Sequence, residues 1–258
     1  MIKKQDKGQR RRGIYLLPNL FTTAALFAGF YAIVAATKGQ YETAAIAIYI
    51  AMLLDGLDGR VARLTNTQSD FGAEYDSLAD MISFGLAPAL VMYEWALSDM
   101  GKLGWLVAFI YTAGAALRLA RFNTQVDIAD KRYFQGLASP SAAAIVAGMV
   151  WVGDIYLPEG PVLQYTSLVM TLVAGVLMVS NVRYHSFKGI DLKGKVPFMA
   201  MLIIVLVFVL VTYDPPSVLF SVFLIYALSG PIMTLFQLRR RRAERKAHHA
   251  HSPDESGE

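Results

Sequence analysis

Long apolar runs separated by short polar breaks set the pattern of this chain. Eight runs approach the ~20 residues that a helix needs to cross a hydrocarbon core. They lie at roughly 18–37, 43–64, 76–98, 103–122, 139–157, 161–181, 196–213 and 216–236. The breaks carry turn chemistry, among them Lys38-Gly39, Asp99-Met100-Gly101, Pro158-Glu159-Gly160 and Asp214-Pro215-Pro216. Lipid offers no water to an unpaired backbone, so such runs take the form of helices. The pattern predicts an all-α integral membrane protein, a polytopic bundle of about eight transmembrane helices forming one domain over residues 18–236. Residues 1–17 form a basic juxtamembrane segment containing Ile14, Tyr15, Leu16 and Leu17. It reads either as an amphipathic helix on anionic lipid or as a solvated tail. Residues 237–258 begin with an arginine run and read as a basic, then polar, disordered tail.

Composition agrees with that division. The chain is 55% hydrophobic and 17% charged, whereas soluble domains are about a quarter charged. It has no cysteine, which excludes disulfides and thiolate metal sites. Alternate connections and both tails hold 22 of the 24 lysines and arginines; the other connections hold only Lys38 and Lys102. The positive-inside rule therefore predicts both termini on the cytoplasmic side of the cell (inner) membrane. The first apolar run is too long for a signal-peptide core and is read as a retained helix. No nucleic-acid partner is expected.

Four acids interrupt this apolar text: Asp55, Asp58, Asp76 and Asp80. A carboxylate in hydrocarbon costs about 2.5–3.5 kcal/mol even on insertion scales. Spacings of three and four put each pair on one helix face. The pairs fall at the end of the second run and the start of the third, so a turn near Thr65–Asp70 lets them face one another. Converging carboxylates need a cation, and hard oxygen ligands suit Mg²⁺, Mn²⁺ or Ca²⁺. Two such ions are a device of phosphoryl chemistry. Gly59, Gly72 and the small Ala62 permit close approach of a ligand, and Arg63 offers a planar donor fork. Taken singly, an aspartate reads as a helix cap or a proton relay, and glycines as helix-packing residues. A cation- or proton-coupled transporter would use the acids but gives the glycine and arginine spacing no role.

Residues 55–80 resemble the signature of the CDP-alcohol phosphotransferase family, D-x2-D-G-x2-A-R-x8-G-x3-D-x3-D, at every fixed position. The resemblance implies a membrane enzyme in which an alcohol displaces CMP from a CDP-linked donor. By position, it implies one divalent cation on Asp55, Asp58 and Asp76 and a second on Asp55, Asp76 and Asp80. Asp80 is also the implied catalytic base, and Gly59, Ala62, Arg63 and Gly72 the implied CDP pocket. Asn19 and Thr22 lie in LPNLFT, similar to a Pro-Asn-x-x-Thr element of related enzymes that contacts CDP; a plain helix-start signal with Asn19 as cap is the alternative.

The acceptor is written elsewhere. SFGLAP, RLARFN and F-x-G-L-x-x-P-x-A-A-A, within residues 76–89, 117–124 and 134–144, resemble the phosphatidylserine synthase branch of that family. Ala138 stands where that branch often has proline. This branch implies CDP-diacylglycerol and L-serine as substrates, and the family implies a homodimer. Arg118 or Arg121 suits serine's carboxylate, with Asn123 adding a hydrogen bond. Both arginines also fit ordinary membrane anchoring, and a phosphate-bearing acceptor, as in phosphatidylglycerophosphate synthase, would favour them equally.

Overall fold

The computed structural model describes residues 9–65, 67, 69–125, 133–185 and 198–250. Among these residues the regular structure is helical apart from one short ribbon. α1 spans Gln9–Ala36 and α2 spans Tyr41–Thr65. Between them Gly39 takes a φ of 71°, a left-handed value that glycine reaches without strain. Ala28, Ala32, Ala35 and Ala36 of α1 and Ala44, Ala45, Ala47 and Ala51 of α2 are buried in the common core. Such small side chains let two helix backbones approach closely where no hydrophobic effect drives them together.

α1 differs from expectation at its start, because the helix runs unbroken through Pro18. The basic segment that the sequence set apart is thus continuous with the first apolar run from Gln9 onward. Lipid-embedded helices tolerate an internal proline when neighbours pair the backbone groups it frees.

The third run begins at Asp70, six residues before the acid that marked its predicted start. Ser69 explains the early start: it caps the helix, its Oγ accepting from Gly72 N–H at 3.1 Å. From there α3 (Asp70–Asp80), a π-helical turn (Met81–Leu86), α4 (Ala87–Met92), a second π turn (Tyr93–Leu97) and a 3₁₀ turn (Ser98–Met100) form one continuous rod. The π turns have no counterpart in the sequence reading. Neighbours pair polar groups in the first of them: Tyr111 hydroxyl donates to Phe84 O at 3.0 Å, and Ser83 hydroxyl donates to Ala25 O at 3.1 Å. Buried π turns are rare and concentrate at functional sites; this one follows Asp80 directly.

α5 (Lys102–Gln125), α6 (Ser139–Tyr156), α7 (Pro161–Val179), α8 (Phe198–Tyr213) and α9 (Pro215–Ala250) complete the bundle. α4 is its centre, with α1, α2, α5, α6 and α7 around it. α5 meets α7 where Gly114 faces Gly175; a Cβ on Gly114 would stand 2.6 Å from Gly175 O. α9 lies against α6, and α8 lies against α9.

Among the described residues five segments are long and apolar enough to cross a membrane: Leu17–Ala36, Asp70–Met100, Lys102–Thr124, Pro161–Val179 and Pro215–Phe236. The chain is an integral membrane protein. The other three runs are helical too, as α2, α6 and α8. α2 carries Asp55, Asp58, Arg60 and Arg63 in its second half, α6 has 18 residues, and α8 has 16 described ones.

Two further differences stand out. α9 continues to Ala250, so the arginine-rich start of the expected disordered tail is helical. Arginine, alanine, glutamate and lysine are strong helix formers, and a preceding helix removes the cost of nucleation. Residues 251–258 lie outside the described residues. A two-stranded antiparallel ribbon, β1 (Tyr133–Gln135) with β2 (Arg183–His185), ties the α5–α6 connection to the segment after α7. Strands of three residues are too short to leave an alternating pattern in sequence.

Candidate active site

α2 delivers Asp55 and Asp58 from its final turns, and the Ser69-capped α3 returns Asp76 and Asp80 beside them. One oxygen from each of Asp55, Asp76 and Asp80 lies within 4.8 Å of the others. Asp55 and Asp80 meet within hydrogen-bonding reach. Asp76 Oδ1 is buried and has no hydrogen-bond partner. Three carboxylates at this range repel one another, and a buried bare oxygen is costly. The donor set is all hard oxygen, so the residues fit a divalent cation of the Mg²⁺ or Mn²⁺ kind.

Asp58 stands outside that group of three. It is only 4% exposed, and its Oδ2 accepts from Thr22 hydroxyl at 2.8 Å. It remains within electrostatic reach of Asp76. Thr22, expected at the nucleotide, is therefore turned toward an aspartate and buried. Asn19 sits inside α1 and not at its cap, and its Oδ1 lies 3.6 Å from where a Cβ on Gly72 would be. The LPNLFT segment thus meets the aspartate frame through Thr22, with Asn19 beside Gly72. α1 and α3 are tied once more through the hydroxyls of Thr23 and Tyr75, 2.9 Å apart.

Arg63 lies along its own helix, with Nε donating to Gly59 O at 2.8 Å. Its guanidinium is exposed, as is the surface around Gly59 and Ala62 in part. A Cβ on Gly59 would meet nothing closer than Arg63 Nη2, at 3.9 Å. The glycine therefore keeps open space beside the aspartates instead of serving a tight helix contact.

The acceptor candidates separate. Arg118 is largely buried; its Nη1 donates to Ser139 Oγ at 2.9 Å, and its Nε is buried without an acceptor. Asp80 is within its electrostatic reach. Arg121, one turn further along α5, reaches instead toward Asn181 Oδ1 at 3.4 Å. Asn123 Nδ2 donates to Ser77 Oγ at 3.0 Å, next to Asp76 on α3. The three stretches that carried the acceptor resemblance are therefore in mutual contact, through Ser77–Asn123 and Arg118–Ser139. Ser77, Ser139 and Tyr75 were not singled out from sequence. Ser77 and Ser139 lie inside the quoted stretches, but a serine has no charge or spacing to distinguish it there.

The family model for CDP-alcohol phosphatidyltransferase matches residues 15–182. The chain is similar to the CDP-diacylglycerol–serine O-phosphatidyltransferase of Helicobacter pylori strain 26695, with 40% identity over 225 residues, 86% of this chain and 92% of that one. The enzyme of the same name from Mycobacterium tuberculosis H37Rv is 37% identical over 189 residues, 69% of this chain and 65% of the other. The corresponding protein of Saccharomyces cerevisiae is 40% identical over 139 residues, about half of each chain (48% and 50%). Among solved structures, Mycobacterium tuberculosis phosphatidylinositol phosphate synthase with CDP-DAG bound superposes with a TM-score of 0.50 at 20% identity, covering 66% of this chain and 88% of that one. That last likeness concerns the fold. The matched segment contains the whole aspartate frame from Asp55 to Asp80, and the chain belongs to the CDP-alcohol phosphatidyltransferase family.

Proposed function

We propose that this chain transfers the phosphatidyl group of CDP-diacylglycerol to L-serine, giving phosphatidylserine and CMP. The observation that carries the reading is the likeness to the Helicobacter serine phosphatidyltransferase along nearly its full length. The geometry supports the same chemistry: a convergent carboxylate set lies beside a buried arginine that still has a donor to give.

Asp80 takes the proton of the serine hydroxyl. The freed oxygen attacks the phosphorus that bears diacylglycerol, and the bond from that phosphorus to the bridging oxygen breaks, CMP leaving with the electron pair. Asp55, Asp76 and Asp80 would hold one divalent cation, and Asp55, Asp76 and Asp58 a second. When bound, the two neutralise the diphosphate and stabilise the departing oxygen. Thr22 holds Asp58 in position, while Gly59, Ala62, Arg63, Gly72 and Asn19 border the space for CDP. Arg118 takes the serine carboxylate in preference to Arg121, because Arg118 faces Asp80 with an unmade N–H while Arg121 turns to Asn181. Asn123 orders Ser77 beside Asp76.

Eight helices cross the membrane in this reading, with both termini and the aspartates on the cytoplasmic side of the cell membrane. The lysine and arginine distribution supports it. Serine and CMP then exchange with water while the acyl chains stay in lipid. The catalytic domain is residues 18–236, and a homodimer is carried over from the family resemblance. The test is CMP release by purified protein in detergent with CDP-diacylglycerol and Mn²⁺ or Mg²⁺. Release requires L-serine; release driven by glycerol 3-phosphate and indifferent to serine overturns the assignment.

A further inference from the structure

α6 opens on Ser139, whose side chain is fully buried. A serine at a helix start ordinarily turns its hydroxyl back onto a free N–H of its own helix. Here Ala138 occupies the cap position, with extended backbone (φ −62°, ψ 136°) and no side-chain hydrogen bond. Ser139 Oγ instead accepts from Arg118 Nη1 of α5 at 2.9 Å. With Nη1 engaged, the edge that Nε shares with Nη2 is the one turned to a ligand. Nε on that edge is buried and has no acceptor. Two parallel N–H groups on such an edge suit a carboxylate.

Ser139 is held in place from the ribbon side. β1 ends at Gln135, and Gly136 follows with a φ of 78°. Its N–H donates to Val182 O at 2.9 Å, and a Cβ there would overlap Met178 O. Leu137, fully buried, donates its N–H to Leu177 O at 3.0 Å. Two consecutive residues thus stitch this connection to the end of α7, and Ser139 follows two residues later. Arg118 is placed from the other side. Tyr111, Ala115 and Arg118, at spacings of four and three, share one face of α5. Tyr111 hydroxyl donates to Phe84 O at 3.0 Å, and a Cβ on Gly85 would stand 3.1 Å from Ala115 Cβ. That face of α5 therefore lies against the rod that begins with α3. Further along α5, Asn123 Nδ2 meets Ser77 Oγ at 3.0 Å. Arg118 falls between Ala115 and Asn123, opposite the stretch of rod from Gly85 back to Ser77, which contains Asp80.

We propose that Ser139 is a positioning residue for the acceptor: by accepting from Arg118 Nη1 it turns the Nε edge toward the carboxylate of an amino acid whose hydroxyl faces Asp80. An arginine side chain left to itself samples many rotamers, and one fixed nitrogen selects among them. The proposal rests on the reading of serine as acceptor. It gives the first turn of α6 a part in choosing that acceptor, through Arg118 and without touching the substrate.

The test measures CMP release by the full-length protein in detergent with CDP-diacylglycerol and Mn²⁺, on L-serine and on L-serinamide, in which an amide replaces the carboxylate. Wild type prefers serine. Ser139→Ala raises the KM for serine about tenfold, the order of one hydrogen bond to a charged group. The loss falls on that KM rather than on kcat, and it narrows the preference for serine over serinamide by the same factor. Arg118→Lys narrows the preference too. Ser139→Ala added to Arg118→Lys narrows it no further, because one residue acts through the other. An unchanged preference in Ser139→Ala, beside a wild type that releases CMP with serine, overturns the positioning role and leaves the function standing. So does a Ser139→Ala variant that loses kcat and melting temperature but keeps the preference, and so does a loss that adds in full to that of Arg118→Lys. A wild type without serine-dependent CMP release overturns the function and this role together.

Discussion

Carboxylates stand at both ends of α2, about 20 Å apart along the helix axis, and the protein treats them in opposite ways. Near the start of α2, Trp151 Nε1 donates to Glu42 Oε1 at 3.3 Å, and Trp95 donates to the neighbouring Asp154. Each acid there has an indole N–H, and the rings fill space against the bundle. Near the end of α2, Asp55, Asp76 and Asp80 face one another, and Asp76 keeps a buried oxygen bare. Indoles are natural residents of a membrane–water boundary, where one edge is apolar and the other polar. The acids they meet, Glu42 and Asp154, are exposed to solvent and each also has a protein donor. The acids at the other end are held close, against their own repulsion, for something that arrives from outside.

The comparison is broken or sharpened by one chemical change made at both ends, carboxylate to amide. The largest effect is expected at Asp80. Asp80→Asn removes the proton acceptor and a cation ligand at once, and serine-dependent CMP release falls by about a thousandfold or more. Residual release within about tenfold of wild type would remove Asp80 as the base. Asp76→Asn comes next. With Mn²⁺ at a hundred times its dissociation constant, wild type gains about 2.7 kcal/mol of stability by mass action. Chelation with EDTA reverses that gain and stops CMP release. Asp76→Asn loses most of the Mn²⁺-dependent rise in melting temperature; a variant that keeps the full rise shows the bare oxygen is not a ligand.

Much of this was legible in the chain, and the reasons for the exceptions are physical. Every apolar run is a helix, because run length and lipid leave the backbone one option. The spacing from Asp55 to Asp80 told which residues stand near one another, since a helix turns spacing into a face. Thr22 and Asp58 were each singled out, but their pairing was not, because a contact across 36 residues has no local pattern. The π turns after Asp80 and before Ser98 escaped for a related reason. A wide turn inserts about one residue into an otherwise helical text, and an apolar run looks the same either way.

Thr22→Val tests the boundary between the two regimes. Asp58 is the one member of the aspartate frame with a hydroxyl donor among the described hydrogen bonds, so like Glu42 it has a protein partner. Valine keeps the volume and removes the donor. A residue that orients a ligand in this way typically changes metal affinity by about tenfold when lost. The Mn²⁺ concentration for half-maximal CMP release rises accordingly, with kcat at saturating Mn²⁺ little changed. An unaltered Mn²⁺ dependence would show that Asp58 needs no help from α1 and that LPNLFT acts elsewhere.

The smallest effect belongs to Glu42→Gln, the same carboxylate-to-amide change as at Asp76, carried out where the indole already satisfies the oxygen. The amide retains a carbonyl for Trp151, so the hydrogen bond survives without its charge. Glu42 is exposed, and water screens what the charge contributed. Stability falls by no more than about 1 kcal/mol, and kcat and Mn²⁺ dependence stay at wild-type values. Thermal denaturation in detergent and a Mn²⁺ titration of CMP release check both halves. If Glu42→Gln reduced activity as Asp76→Asn does, the two ends of α2 would be coupled through the helix, and the division into a partnered end and an unpartnered end would fail. The packing of α2 against α1 and α6 argues against such coupling. The alanine seam packed along one side of α2 leaves loss of a surface charge at Glu42 no change of packing through which to reach Asp55.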